Sequence, residues 1–240
     1  MCIRDRNNPK QLNLDVKLDE AININNFIIC PSTEIILKAS KDFISGSDAT
    51  KTFFLWGKKG AGKNYLLHSI NREFLEKKLH SAFVSFDNDL VVNPSVLEGL
   101  EELDVIFIES MEQFPCLKEW ELALFNLINA CLLKDCKIFI SSRVTAKQLE
   151  INLVDLKSRL LAFPAFELPE INEDEKIKAL KEAASRKGWE LEDNVLSYIL
   201  TRTSRNLSDL MSLMNELDTF SLEKKRKVSI ALVRELISNK

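Results

Sequence analysis

The most informative run for the fold of this chain reads Phe53-Phe54-Leu55-Trp56-Gly57-Lys58-Lys59-Gly60-Ala61-Gly62-Lys63-Asn64-Tyr65-Leu66-Leu67-His68. Its four leading apolar residues predict a buried strand, and the apolar periodicity after the loop predicts a helix. The loop between them reads Gly57-x-x-Gly60-x-Gly62-Lys63, which fits the P-loop pattern G-x-x-x-x-G-K. The alternative is a glycine-rich turn with a surface lysine, but a strand before the motif and a helix after it favour the P-loop.

A P-loop binds phosphate because of its composition. Glycines let successive backbone N–H groups converge on phosphate oxygens, the helix N-terminus adds a partial positive charge, and Lys63 adds a full one. Where such loops end in the Ser or Thr that holds Mg²⁺, this one has Asn64, so we expect an altered metal seat. The candidate nucleotide-binding residues of this stretch are Gly57, Lys58, Gly60, Ala61, Gly62, Lys63, Asn64 and Tyr65.

A second motif follows an apolar run at residues 104–109, which predicts a fully buried parallel strand. A P-loop ATPase needs an Asp at the end of this strand to orient Mg²⁺ and then a Glu to activate water. Here Glu109 and Ser110 hold those two positions. Glu109 can still reach a metal through water, so Asn64 and Glu109 form the candidate Mg²⁺ seat. Ser110 is no base at neutral pH, and Glu112 on the following turn is a poor substitute. We therefore expect nucleotide binding without self-hydrolysis.

The composition limits the class of protein. The 240 residues are 45% hydrophobic, enough for one full core or two small ones. No apolar run approaches ~18 residues, so we expect no membrane-spanning helix. Five cysteines without metal-ligand spacing and only two histidines favour a reduced, cytoplasmic protein over a zinc protein. The net charge of −3 argues against a dedicated DNA-coating protein, although it leaves room for a local basic face.

The pattern of elements predicts an α/β fold with a doubly wound parallel sheet, followed by a small all-α lid. The expected strands lie at about 52–56, 82–86, 104–109, 137–143 and 163–168. After Pro169 the pattern changes to amphipathic helices at about 173–187, 192–203 and 206–220, and then a helix to residue 237. We divide the chain into a flexible leader (1–21), a nucleotide-binding α/β domain (22–168) and a helical lid domain (169–240).

The leader contains Gln11-Leu12-Asn13-Leu14-Asp15-Val16. This run resembles the short peptide by which bacterial replication proteins dock on the sliding clamp. In such a peptide Gln11 would bind in a small polar notch, while Leu12, Leu14 and Val16 fill an apolar pocket. The alternative is an amphipathic linker without a partner.

Three segments resemble the DnaA branch of the AAA+ ATPases, and together with the lid they cover about residues 22–238. The run from Gly62 to Ile70 is similar to the signature G-K-T-H-L-L-H-A-I of that branch. The segment 27–33 resembles the part that lines the adenine site, which implies contacts from Phe27 and Ile28. The segment 153–160 resembles the arginine-finger box, which makes Arg159 the implied finger.

Several departures from the family pattern concern the nucleotide. Ser208 stands where a lid arginine is usual, and Ser142-Arg143 replaces the usual sensor pair on the fourth strand. Together with Asn64, Glu109 and Ser110, they imply weak adenine nucleotide binding, with ADP preferred to ATP and Mg²⁺ an open option. None of these departures changes Arg159, which would act on a partner's nucleotide.

The resemblance also implies partners. Initiators of this branch continue into a helix-turn-helix domain, and this chain stops without one, so we expect a regulator that stimulates hydrolysis of ATP bound to DnaA and prevents re-initiation. Its expected partners are DnaA, the sliding clamp (the β subunit of DNA polymerase III) and, through the clamp, the DNA of the nucleoid; homo-oligomers stay open. The alternatives are an adaptor with a vestigial nucleotide site and a helicase loader.

Overall fold

The computed structural model describes residues 24, 27, 31–46, 50–86, 93–203 and 207–238, with the side chains of 31, 32, 207 and 208 excepted. The elements follow in the order α1 (Pro31–Ser45), β1 (Thr52–Trp56), α2 (Lys63–Glu76), β2 (Ser81–Ser85), β3 (Val105–Glu109), α3 (Lys118–Lys134), β4 (Lys137–Ser142), α4 (Val154–Leu161), β5 (Ala165–Glu167), α5 (Glu173–Arg186), α6 (Asp193–Arg202), α7 (Leu207–Lys224) and α8 (Ile230–Ser238).

The strands form one parallel sheet in the order β2-β3-β4-β1-β5, which confirms the expected doubly wound architecture. Both faces are buried, which explains the uninterrupted apolar runs. On one face Phe53, Phe107 and Phe139 pack under α1 and α2, and the Phe53 and Phe139 rings stack with centroids 4.5 Å apart. On the other face Ile106 and Ile138 pack under α3 and α4.

Helices α5 to α8 pack around a core of their own, which confirms the expected helical lid. Leu180, Ile199 and Met214 are fully buried in it. Asn172 and Glu175 form a capping box at the start of α5, each side chain accepting the other's backbone N–H. Gly188 ends α5 with a φ of 79°, in the left-handed region that favours glycine.

Two boundaries differ from the expected ones. Strand β5 is only three residues long, Ala165–Glu167, and Phe163 before it packs into the core. Helix α7 continues to Lys224, beyond the expected end at about residue 220. The segment 153–160 is largely helical, as α4. Among the described helices none is long and apolar enough to cross a membrane.

Candidate functional site

The P-loop follows the carboxyl end of β1, which is the strand between β4 and β5 in the sheet. Gly60 and Gly62 have φ values of 85° and 101°, which L side chains rarely adopt. The carbonyl of Gly62 accepts the N–H of Leu66 at 3.0 Å, so α2 starts directly from the loop. This geometry directs the N-terminus of α2 toward the loop, as phosphate binding requires.

Gly57 is required for a different reason. A Cβ at this position would lie 2.4 Å from the backbone oxygen of Leu168, so only glycine permits the close approach of the chain after β5. The Gly57 N–H donates to the carbonyl of Ser142 at 3.2 Å. Its N–H is therefore engaged with the end of β4, and a contact of Gly57 with phosphate stays a prediction.

Lys63 is buried beneath the loop. Its ammonium donates to the carbonyl oxygens of Gly57 at 2.6 Å and of Lys58 at 2.9 Å. A bound nucleotide fits this arrangement, because phosphate oxygens can replace these carbonyls as acceptors while the charge stays within the loop. Lys58 points away from the loop and forms an exposed ion pair with Glu170 at 3.1 Å.

Of the two residues expected to contact the adenine base, the structure describes Phe27. Phe27 is buried, its ring centroid lies 6.0 Å from that of Tyr65, and its Cε2 lies 3.9 Å from an ideal Cβ on Gly62. Phe27 and Tyr65 therefore adjoin the loop, where Ala61 is buried and Asn64 is exposed. Ile28 lies outside the described residues.

The acidic end of β3 faces α2 rather than open solvent. The Glu109 carboxyl is 13% exposed, and its Oε1 lies 3.9 Å from Nε2 of His68. Burial lowers the pKa of His68, whose ring stacks on Phe83 with centroids 5.0 Å apart. A neutral imidazole beside Glu109 makes this contact weaker than an ion pair.

The protein offers Mg²⁺ few ligands here. Within the described residues no three His, Cys, Asp or Glu side chains are grouped so as to hold a metal. Asn64 contributes a neutral amide at most, and Glu109 is already beside His68. Mg²⁺ at this seat would therefore depend on phosphate oxygens for most of its ligands.

The turn after β3 contains the residues considered for activating water. Ser110 has a φ of 56°, and a single 3-10 turn (Met111–Gln113) follows it. In that turn Glu112 Oε2 accepts the backbone N–H of Arg143 at 2.8 Å, and Oε1 lies 2.9 Å from the Arg143 Nε. No spacing or periodicity in the sequence indicates this contact. Glu112 is therefore engaged with Arg143, and the expected lack of a water-activating base stays a prediction.

Arg159 lies on α4, away from the P-loop. Leu156 and Leu160 anchor α4 in the core on the α3 side of the sheet, whereas α2 packs on the opposite side. Arg159 projects from the exposed side of the helix, and its guanidinium has no hydrogen bond or ion pair to any residue that the structure describes. An i, i+4 pair with Asp155 would be the ordinary role of such an arginine, and it is not formed.

The remaining predicted residues lie outside the part of the chain that the structure describes. The leader residues Gln11, Leu12, Leu14 and Val16 are not described, and neither is the side chain of Ser208. The sequence also missed Glu121, a buried carboxylate on α3 that contacts the start of α4. Nothing local marks it, because the sequence around it resembles any amphipathic helix.

Comparisons with known proteins agree with this geometry. The family model of the bacterial DnaA ATPase domain matches residues 18–162, and that of the Hda lid domain matches residues 173–237. An uncharacterized protein of Haemophilus influenzae is 30% identical over 196 residues, covering 81% of this chain and 85% of that protein.

Two solved structures share the fold. Domain III of the Thermotoga maritima replication initiation protein DnaA superposes with a TM-score of 0.72 at 19% identity, covering 92% of this chain and 97% of that one. AMPPCP-bound DnaA from Aquifex aeolicus gives 0.70 at 18% identity, covering 86% of this chain and 68% of that one. With its ATPase-domain match spanning more than half of its length, the chain belongs to the DnaA family of AAA+ proteins and carries a lid of the Hda type.

Proposed function

We propose that this chain regulates replication initiation by supplying Arg159 in trans to ATP bound by DnaA, which stimulates its hydrolysis and prevents re-initiation. The observation that carries the proposal is the exposed guanidinium of Arg159, which is not used in any ion pair among the described residues. A guanidinium of this kind can approach the γ-phosphate of a neighbouring subunit and neutralise the charge that develops as the bond breaks.

Exposed apolar side chains on α4 support a contact of this helix with another protein. Val154 is 75% exposed and Leu161 is 53% exposed. Because seven residues are close to two helical turns, these two side chains lie on one side of the helix, whereas Arg159 projects from a different part of its exposed surface. Large exposed apolar side chains are typical of surfaces that bind another protein.

The chain's own site is proposed to bind an adenine nucleotide, with ADP preferred, and not to hydrolyse ATP by itself. The glycine geometry and the position of Lys63 support binding. Ser110 and the engaged Glu112 leave water without a base. The AMPPCP-bound Aquifex DnaA shares this fold, which agrees with the nucleotide class. The few metal ligands favour at most weak Mg²⁺ binding.

Recruitment is proposed to occur through residues 11–16, which would bind the sliding clamp and bring the protein to DNA in the nucleoid. The same proposal keeps the division into a leader (1–21), an α/β domain (22–168) and a lid (169–240). The separate cores of the sheet and of α5 to α8 support the last of these boundaries.

One assay tests the proposal: the ATPase rate of DnaA with this protein, the clamp and DNA, each omitted in turn. We expect stimulation only when all are present. Retention on the clamp without any stimulation would refute the finger and favour an adaptor with a vestigial nucleotide site.

A further inference from the structure

Glu121 is a charged side chain at an unusual place, within the core between α3 and α4. It is 3% exposed. Its Oε1 accepts the backbone N–H of Asn152 at 2.9 Å, and its Oε2 accepts the backbone N–H of Leu153 at 2.8 Å. The Asn152 side-chain amide also donates to Oε1, at 3.4 Å. Both carboxylate oxygens are therefore used on one short segment.

That segment is the entry to α4. Leu153 is the N-cap residue, and its own side chain offers no cap hydrogen bond. Glu121, on the neighbouring helix α3, therefore caps the N-terminus of α4. Its carboxylate accepts backbone N–H groups that would otherwise lack acceptors. Its negative charge also lies at the positive end of the α4 dipole.

The helix that is held in this way is short. It has eight residues, and Leu156 and Leu160 are its buried anchors. Besides these anchors, the Lys157 ammonium donates to the Leu149 carbonyl, and the two backbone hydrogen bonds to Glu121 fix the position of the N-terminal end of the helix. Arg159 lies six residues beyond Leu153, about 9 Å along the helix axis, so a change of tilt at the entry displaces the guanidinium.

We propose that Glu121 is a positioning residue for Arg159, holding α4 at the orientation in which the guanidinium meets the phosphates of a partner's nucleotide. The inference rests on the proposed function of Arg159. Catalysis by a positioned group is sensitive to its placement, and a displacement of about 1 Å can cost roughly 100-fold in rate.

The competing explanation is that Glu121 only stabilises the fold. The isosteric variant Glu121→Gln separates the two. A glutamine carries one acceptor oxygen and one NH₂ donor, so one of the two backbone N–H groups would face a donor. Glu119→Gln is the matched control, because Glu119 lies in the same first turn of α3 with its side chain exposed.

The experiment measures DnaA ATPase stimulation, with clamp and DNA present, as a function of the concentration of this protein. For Glu121→Gln we expect the maximal stimulated rate to fall roughly 10- to 100-fold, with an unchanged half-saturating concentration. Backbone amide exchange at Asn152 and Leu153 should become faster. Glu119→Gln should match the unaltered chain in both readouts. A purely structural role would instead weaken nucleotide binding and clamp binding in parallel with the ATPase stimulation.

The decisive comparison is between the maximal stimulated rate and the other activities of the same variant. If Glu121 acts through Arg159, Glu121→Gln should lower that rate while its nucleotide binding and its clamp binding match those of Glu119→Gln. A parallel loss of those two activities, or a normal maximal rate for Glu121→Gln, would overturn the positioning role and leave the proposed function standing. Absence of stimulation by the unaltered chain would refute the proposed function and the positioning role together. Should Glu121→Gln not fold, Glu121→Asp replaces it, since it keeps the charge but is one methylene too short for both contacts.

Discussion

Glu112 binds Arg143 through both of its carboxylate oxygens, one at 2.8 Å from the backbone N–H and the other at 2.9 Å from the guanidinium Nε. The contact joins the turn after β3 to the end of β4, where ATPases of this fold class place groups that act on the γ-phosphate and its water. The Glu112 side chain is 14% exposed and the Arg143 side chain is 41% exposed, so only the carboxylate side of the pair is shielded from solvent. The contact links the turn after β3 to the residue that follows β4.

This relationship predicts the behaviour of Glu112→Ala. The variant should be destabilised by about 1–3 kcal/mol, because the Arg143 N–H loses its acceptor. Its ATP hydrolysis in the absence of partners should stay as negligible as that of the unaltered chain. Urea unfolding and a phosphate-release assay check the two parts. A measurable basal turnover that disappears in Glu112→Ala would instead identify Glu112 as a base.

The P-loop geometry predicts that Lys63→Ala weakens adenine nucleotide binding. Loss of a charge-assisted contact to phosphate should lower affinity roughly 10- to 100-fold for both nucleotides. Titration calorimetry with ADP and with ATP measures this effect, and we expect ADP to bind the unaltered chain more tightly. Lys59→Ala is the control, because Lys59 lies on the same loop with an exposed side chain. Equal loss in both variants would mean that general loop charge, not Lys63, carries the affinity.

Arg159→Ala should abolish stimulation of the DnaA ATPase while folding, nucleotide binding and clamp binding stay unchanged. Arginine fingers contribute roughly 10³–10⁵ in rate in related phosphoryl-transfer systems. Arg159→Lys should also largely fail, since an ammonium lacks the planar fork that spans two oxygens. Arg186→Ala, an exposed arginine on the lid, serves as the control. Full stimulation by either Arg159 variant refutes the finger.

The leader predicts a direct interaction with the sliding clamp. Burying each of the two leucines contributes about 1.5–3 kcal/mol, less the cost of ordering the peptide, so a single site should bind at about the micromolar level or weaker. A pull-down on immobilised clamp should retain the unaltered chain and lose the Gln11→Ala, Leu12→Ala, Leu14→Ala variant. Leu18→Ala, just beyond the motif, should be retained. Equal retention of the triple variant would exclude residues 11–16 as the binding peptide.

His68 predicts a pH dependence of stability. Burial lowers its pKa in the folded state from the ordinary value of 6.5. Below that value the unfolded chain binds a proton that the folded chain does not, so the free energy of unfolding falls as the pH falls. His68→Gln should flatten this decline between about pH 7 and pH 5. Urea unfolding at several pH values measures the slope, and an unchanged slope would show that His68 is not its source.

The architecture and the position of the glycine-rich loop can both be predicted from residue patterns alone. The strands are continuous apolar runs because both faces of the sheet are covered, and such runs are visible without the structure. Gly60 and Gly62 follow from the loop spacing, because their left-handed backbone is a local requirement. The residue types at 109 and 110 predict that water lacks an activating base, and this stays a prediction.

The hydrogen-bond partners of the charged residues become visible only in the folded structure. Glu112 and Arg143 are 31 positions apart, as are Glu121 and Asn152. Glu112 and Glu121 look like ordinary glutamates in the sequence, because hydrogen bonds between distant segments leave no periodicity or spacing to detect. The same holds for Gly57, whose missing side chain is required by the backbone of Leu168. Local signals specify the elements, whereas contacts made by folding specify which side chains are buried, paired or left available to a partner.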